Sequence, residues 1–465
     1  MTESTLRVVN LIPVGLSGET GQDSEPNLAV DPQNPARIVA TAFTRDPLNG
    51  PQAPIFVSTD GGQTWHLRSI VPGGPGTSDI SVGFGDSGGT LFAGILRFDD
   101  THLNILRSAD PFTTTAMDLL VDRNHEDQPW VVATTIGGRD RVFIGHNDFN
   151  AQPHTASVES SVDARTAAAP AGFATRPVER RNTVGQDGPP VRAAVHTDGT
   201  VYACFQRWVT AANSGNGSDI TMDVVVVRDD GAPGAGRFTD LTGADGAAGV
   251  AVGANRFVRF TGSSGPLGQE RIGSDLAIAV DPADSDIVYL AWCDRVGGPA
   301  GTDWTIHVRR SETRGLTWSD DIRTVTNGKN PALAVNARGH VGLLFQQLEG
   351  TGSAARWVTR LEVTRDDWAT TELAAVLHTA LASTPPRTFL PYLGDYIRLL
   401  CVGNDYYGVF SGSNLPDRAN FPSGVHFQRN TDWDNIRLLA NDNTTTVAVS
   451  IDPYFVHYVE PDNQP

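Results

Sequence analysis

Lysine is almost missing from this chain. Of its 35 basic side chains in 465 residues, only Lys329 is not an arginine. That bias reads as base composition of the coding sequence and carries no recognition signal. Cysteine is nearly as scarce, with Cys204, Cys293 and Cys401 the whole set. Three thiols leave a disulfide framework incomplete, and their spacing fits no metal motif. Each sits in an apolar, strand-like run (VYACF, YLAWC, RLLCV), which predicts buried, inert thiols. Positive charge is in deficit: the formal net charge is −18. This excludes a nucleic-acid backbone or an anionic membrane as the main partner and otherwise signals a solvated surface. No apolar run is long enough to cross a membrane as a helix. Residues 1–9 lack a basic start followed by an apolar stretch, so no secretory signal is read there. Nor does any stretch sustain a 3.6-residue apolar period with caps, so helices are expected to be few and short.

What is present is glycine (48), proline (29), 39% hydrophobic and 19% charged residues. That is the make-up of many short strands joined by tight turns. A long-period repeat runs through them. Asn27-Leu-Ala-Val-Asp31-Pro32 returns as Ala277-Ile-Ala-Val-Asp281-Pro282. In nearly the same frame, Ser58-Thr-Asp60-Gly-Gly62-Gln-Thr64-Trp65 returns as Ser311-Glu-Thr313-Arg-Gly315-Leu-Thr317-Trp318. Fainter copies of this turn stand at Arg107-Ser-Ala-Asp110, Arg228-Asp-Asp-Gly231, Thr364-Arg-Asp-Asp367 and Arg429-Asn-Thr-Asp432. The turn has a physical logic. An aspartate bonds backbone amides, glycines accept left-handed torsions, and a tryptophan anchors the returning strand.

Paired inner strands are read at 26–43, 79–98, 129–145, 189–206, 275–292, 331–346 and 395–410. Third strands are read from Ile55, Leu103, Ala156, Val224, Ile306, Thr359 and Val425, and fourth strands at stretches such as 66–71, 321–326 and 435–440. The reading is one all-β domain over 1–465, a seven-bladed β-propeller with four-stranded antiparallel blades. The blades are set at 24–71, 78–122, 127–179, 188–243, 274–326, 330–377 and 394–440, about 66 residues per unit. A six-bladed wheel is the alternative, with one eroded unit as loop. Segments 1–15 and 441–465 are expected to pair and close the ring, which removes exposed sheet edges.

Short turns and box hairpins fall on one face. The long connections at 44–54, 146–154, 207–222, 243–272, 294–304, 378–393 and 411–423 fall on the other, where binding groups ride on a rigid scaffold. The strand entrances on that face carry Asp23, Glu25, Asp79, His125, Glu126, Asp127, Asp187, Arg192, Glu270, Arg271, Asp275, Lys329, Asn330, Tyr392, Asp395, Tyr396 and Arg398. Strand exits add His146, Arg207 and Trp208. Arg192 and Arg398 interrupt apolar inner strands, where a guanidinium must be paired with an acid or wetted by a channel. The ring oxygens are of the kind that hold Ca²⁺, although no linear metal motif is present and no cofactor is required.

The S-x-D-x-G-x-T-W pattern at 58–65 is the Asp-box. Through it the chain resembles the sialidase-like, Asp-box (bacterial neuraminidase repeat) superfamily of β-propellers. Ser24-Glu-Pro-Asn-Leu-Ala-Val-Asp-Pro and Leu393-Gly-Asp-Tyr396 are similar to phrases in bacterial proteins of that group. The resemblance implies a glycan-directed protein, a glycoside hydrolase acting on acidic sugars in a central pocket. It implies Arg192, Arg271 and Arg398 as a clamp on the substrate carboxylate. Tyr396 or Tyr392 with Glu270 becomes the nucleophile pair, and Asp79 the acid/base. Asp127, Asp187 and Arg207 complete the candidate binding set. The family's Phe/Tyr-Arg-Ile-Pro motif is replaced by Glu25-Pro-Asn-Leu, so no arginine stands at that place. The alternative is a non-catalytic lectin or protein-binding platform, with Trp208 and Trp304 stacking on sugar rings. A third reading is a lyase of uronic-acid glycans, using His125 or His146 with Tyr396 and Arg192.

Overall fold

The computed structural model describes residues 5–461 apart from 46, 49, 86–87, 99–101, 167–171, 189–190, 215–216, 232–236, 261–274, 302–303 and 387–391. Regular structure among the described residues is β throughout, helix being limited to short 3-10 turns such as Val14–Leu16 and Arg418–Asn420. The short apolar runs pair into six four-stranded sheets, one of five strands and one of three. Each four-stranded sheet is an antiparallel meander of consecutive strands, as in Asn27–Val30, Ile38–Thr41, Ile55–Ser58 and His66–Arg68. The other five meanders open with Thr77–Phe84, Glu126–Ile136, Arg192–Val195, Leu276–Asp281 and Gly328–Val335. Arg398–Val402 opens the five-stranded sheet. These seven opening strands touch one another in sequence order, and the last touches the first. The sheets therefore surround a common centre, as in a propeller.

The five-stranded sheet departs from the meander. After Arg398–Val402 and Asp405–Ser413 comes Ile451–Val459, and then Thr5–Asn10 antiparallel to it, with Val9 opposite Phe455. The two chain ends thus pair, as read from the sequence. The strands expected from Val425 and at 435–440 do not join this sheet as its third and fourth members. His426–Phe427 runs parallel to Val9–Asn10 at the edge, and short strands between Thr431 and Val447 form the three-stranded sheet. The run IDPYFVHYV is long and apolar enough to bury nearly all of its side chains, which gives it the place beside Asp405–Ser413. The fourth sheet also ends later than 243, on Val250–Phe260.

Apolar side chains fill the spaces between neighbouring sheets. Between the first meander and the closing sheet, Phe56, Trp65, Tyr407 and Phe455 pack together, and Trp65 meets Phe455 edge-on at 5.3 Å. Gly62 is required there: its φ is +82°, and a Cβ would lie 2.1 Å from the Phe455 ring.

The outer turns are tied by local bonds. Asp60 accepts the Gln63 and Thr64 amides at 3.0 and 2.9 Å and the Thr64 hydroxyl at 2.6 Å. Ser58 Oγ accepts the Gly62 amide at 2.9 Å. At 311–318 the same frame recurs with Thr313 in the acid's place. Thr313 Oγ1 accepts the Thr317 amide at 2.9 Å, and Ser311 Oγ accepts that of Gly315 at 2.9 Å. Asp366 repeats the aspartate version, accepting the Thr370 amide at 2.8 Å and hydroxyl at 2.7 Å.

Candidate functional site

The entrances of the opening strands converge at the centre. Arg192, in the fourth sheet, donates through Nε to Asp275 of the fifth at 2.7 Å, and both side chains are buried. The Arg192 guanidinium carbon lies 3.5 Å from the centre of the Trp130 ring and 5.4 Å from that of Tyr396. Trp130 meets Tyr396 edge to face at 5.6 Å. The Tyr396 hydroxyl donates to Asp79 at 2.9 Å. Five sheets thus supply one cluster in which each charge has a partner, the condition under which buried charge is tolerated.

Arg398 is placed differently. Its Nη1 donates to Asn27 Oδ1 at 2.7 Å and to the Val82 carbonyl at 3.0 Å, and its Nη2 to the Val131 carbonyl at 3.1 Å. All three acceptors are neutral, and no carboxylate among the described residues forms an ion pair with it. It also faces the Trp130 ring at 4.8 Å. Burial, and after it the Arg192 charge, lower its pKa to about 9. Burial raises Asp275 to about 6 against the opposing pull of Arg192. Burial, followed by the charges of Asp79 and Glu25, pushes Tyr396 well above the ordinary phenol value. Tyr396 is therefore held as a neutral phenol donating to a carboxylate.

A cavity of about 130 Å³ lies against this cluster. Arg192, Asp275 and Arg398 stand at the strand entrances and form its polar part, with Trp130 beside them. Residues further along the strands, such as Ala277, Ile278, Leu333 and Leu400, give it apolar walls. Ligand sites for whole small molecules run to about 300–1,000 Å³. This cavity suits one small group, such as a carboxylate.

Further polar groups surround the cluster. Glu25 accepts the Asp395 amide at 3.0 Å. Gly394 makes this approach feasible: its φ is +83°, and a Cβ there would stand 2.2 Å from Glu25 Cγ. Asn330 donates to Gln346 at 3.0 Å and to the Gly394 carbonyl at 3.1 Å. The single lysine, Lys329, is buried with its ammonium 4.7 Å from the centre of the Trp304 ring. Glu126 and His146 form a buried pair at 2.6 Å, and burial raises the Glu126 pKa.

The candidates from the sequence divide into three groups. Arg192, Asp275, Arg398, Tyr396 and Asp79 come together. Glu270 and Arg271 lie outside the described residues. The remainder lie elsewhere. Tyr392 is buried, and its hydroxyl donates to the Ala382 and Pro385 carbonyls at 3.2 and 3.0 Å. Arg207 binds Asp223 and the Asn182 carbonyl, both at 2.8 Å. Trp208 is half-buried against a core that includes Met222 and Val258. His125 is exposed with φ 56°, Asp127 accepts the Gln128 amide at 2.9 Å, and Asp187 is exposed. Trp130 escaped the sequence reading. Its signal was position, since it stands where regular pairing resumes after the bulge in Glu126–Ile136.

No protein-family model matches the chain, and no curated protein matches it. Among solved structures, it is similar to a protein of unknown function from Dyadobacter fermentans, at 11% identity and a TM-score of 0.45, over 99% of this chain and 100% of that one. An α-L-arabinofuranosidase from Fusarium graminearum is similar at 11% identity and a TM-score of 0.43, over 74% and 93%. The phage phi92 endosialidase is similar at 12% identity and a TM-score of 0.40, over 100% and 70%.

Proposed function

We propose that this chain is a seven-bladed, sialidase-like β-propeller of one domain that binds acidic glycans at its centre. The observation that carries the reading is Arg398. A guanidinium on the wall of a central cavity, bonded only to neutral oxygens, is ready to take a carboxylate bidentately. Trp130, which also lines the cavity, adds an apolar wall beside it. The Asp-box assignment draws support from the bonds of Asp60 and Ser58 within the 58–65 turn. Binding is placed before turnover because the cavity of about 130 Å³ suits one small group such as a carboxylate.

Calorimetric titration with sialylated and uronate oligosaccharides tests this. The wild type is expected to bind the acidic glycans and not their neutral counterparts, and Arg398→Ala to lose at least about tenfold in affinity, the worth of one charge-assisted bond. Absence of acidic-glycan binding, or unchanged binding by Arg398→Ala, rejects the reading. The Tyr396–Asp79 bond beside two arginines favours a second reading, glycoside hydrolysis. Sialoside turnover that disappears in Tyr396→Phe would establish it.

A further inference from the structure

Asp23 is fully buried, and neither carboxylate oxygen has a hydrogen-bond partner. The residue belongs to the segment that leads from Thr5–Asn10 to the first meander, and its amide donates to the Ile451 carbonyl at 2.9 Å. Here the two chain ends cross. Glu19, Asp23 and Asp452 each bring one oxygen to within 4.8 Å of the others. Asp452 is fully buried and bonded to Arg429, Asn10 and Asn414 at 2.8, 2.7 and 2.7 Å. Glu19 accepts the Gly21 amide on one oxygen, while its other oxygen is buried without a partner. Arg429, itself fully buried, also donates to the carbonyls of Ser17 and Glu19 at 2.9 and 2.7 Å.

The charges do not cancel. Three carboxylates face one guanidinium, which leaves two negative charges in a buried site. A buried acid with no donor facing it is costly. Two remedies exist: a proton shared between Glu19 and Asp23, or a cation. The unpartnered carboxylate of Asp23 lies in the same small space as one oxygen each from Glu19 and Asp452, and the donor set is all oxygen, the preference of hard divalent ions.

We propose that Glu19, Asp23 and Asp452 hold a divalent cation of the calcium class, which clasps the N-terminal segment to the C-terminal strand where the ring closes. The cation neutralises the two excess charges, and Arg429 fixes the segment's carbonyls beside it. The role is structural and separate from the central cavity.

The test uses the full chain after dialysis against chelator. Titration with CaCl₂ in a calorimeter is expected to give about one site per chain. Thermal melts with Ca²⁺ in about hundredfold excess over Kd are expected to shift upward by several degrees. Asp23→Asn and Glu19→Gln are expected to stay folded, since each removes like-charge repulsion, and to lose the heat and the shift. Three results would overturn the site: no heat or shift with Ca²⁺, Mg²⁺ or Mn²⁺; binding unchanged in both variants; or variants more stable than the wild type even in saturating Ca²⁺. The last result is what a shared proton gives.

Discussion

The centre and the outer turns solve the same problem, placing polar groups in a β framework, by opposite means. At the turn 58–65, Asp60 and Ser58 find their partners within four residues. At the centre, Tyr396 bonds Asp79, Arg192 bonds Asp275, and Arg398 bonds Asn27, each partner drawn from another sheet. The turn tolerates erosion: Thr313 replaces the aspartate and still accepts the Thr317 amide. The centre has no such margin, because removing one partner there leaves the other charged and dry.

The largest way to break this contrast is Arg192→Ala. Asp275 loses its ion pair and Trp130 its cation, and a cost of about 3–5 kcal/mol is expected in denaturant unfolding. Replacing both members with apolar residues, Arg192→Met with Asp275→Leu, is expected to cost markedly less. Equal costs would mean that the pair holds the centre through packing and not through charge.

A second test separates interior from rim by pH. His378 is buried among Phe410, Phe421 and Tyr454, and burial lowers its pKa to about 4. Its folded value lies below its unfolded one, so the unfolded chain binds the extra proton between about pH 6.5 and 4. Stability is therefore present above pH 6.5 and lost as pH falls through that window, by about 3 kcal/mol in all. Asp60 behaves otherwise. Its bonds to Thr64, Ser58 and Gln63 lower its pKa despite partial burial, so its contribution persists until pH drops below the ordinary aspartate value. The stabilities of the wild type and His378→Gln are expected to change their separation between about pH 6.5 and 4 and to run parallel above and below that window.

The smallest effects lie at the rim. Asp60→Ala is expected to cost about 1 kcal/mol, the net worth of exposed turn bonds, and Thr313→Ala less. A loss of core size from either change would show that the turns brace the centre.

The strand repeat was legible because alternation and turn chemistry are local. The 58–65 and 311–318 turns could be read residue by residue, and the pairing expected between segments 1–15 and 441–465 is made by Thr5–Asn10 and Ile451–Val459. The last sheet was misread where two apolar stretches, 425–440 and 451–459, competed for one place. Only the packing of Tyr454 and Phe455 decides between them. Arg192 and Arg398 announced themselves by interrupting apolar strands. Trp130 went unremarked, since an aromatic in a strand carries no mark of the cation it will meet.

Sequence by itself determined the strands of the first six sheets and their turns, since these follow from period-two burial and from bonds within a few residues. Tertiary structure alone decided that Arg192 would be neutralised and Arg398 left among neutral oxygens, and that three carboxylates would meet at the closing strands. Those outcomes depend on which distant side chains share a dry space, and Coulomb energy in such a space is set by three-dimensional neighbours and not by order along the chain.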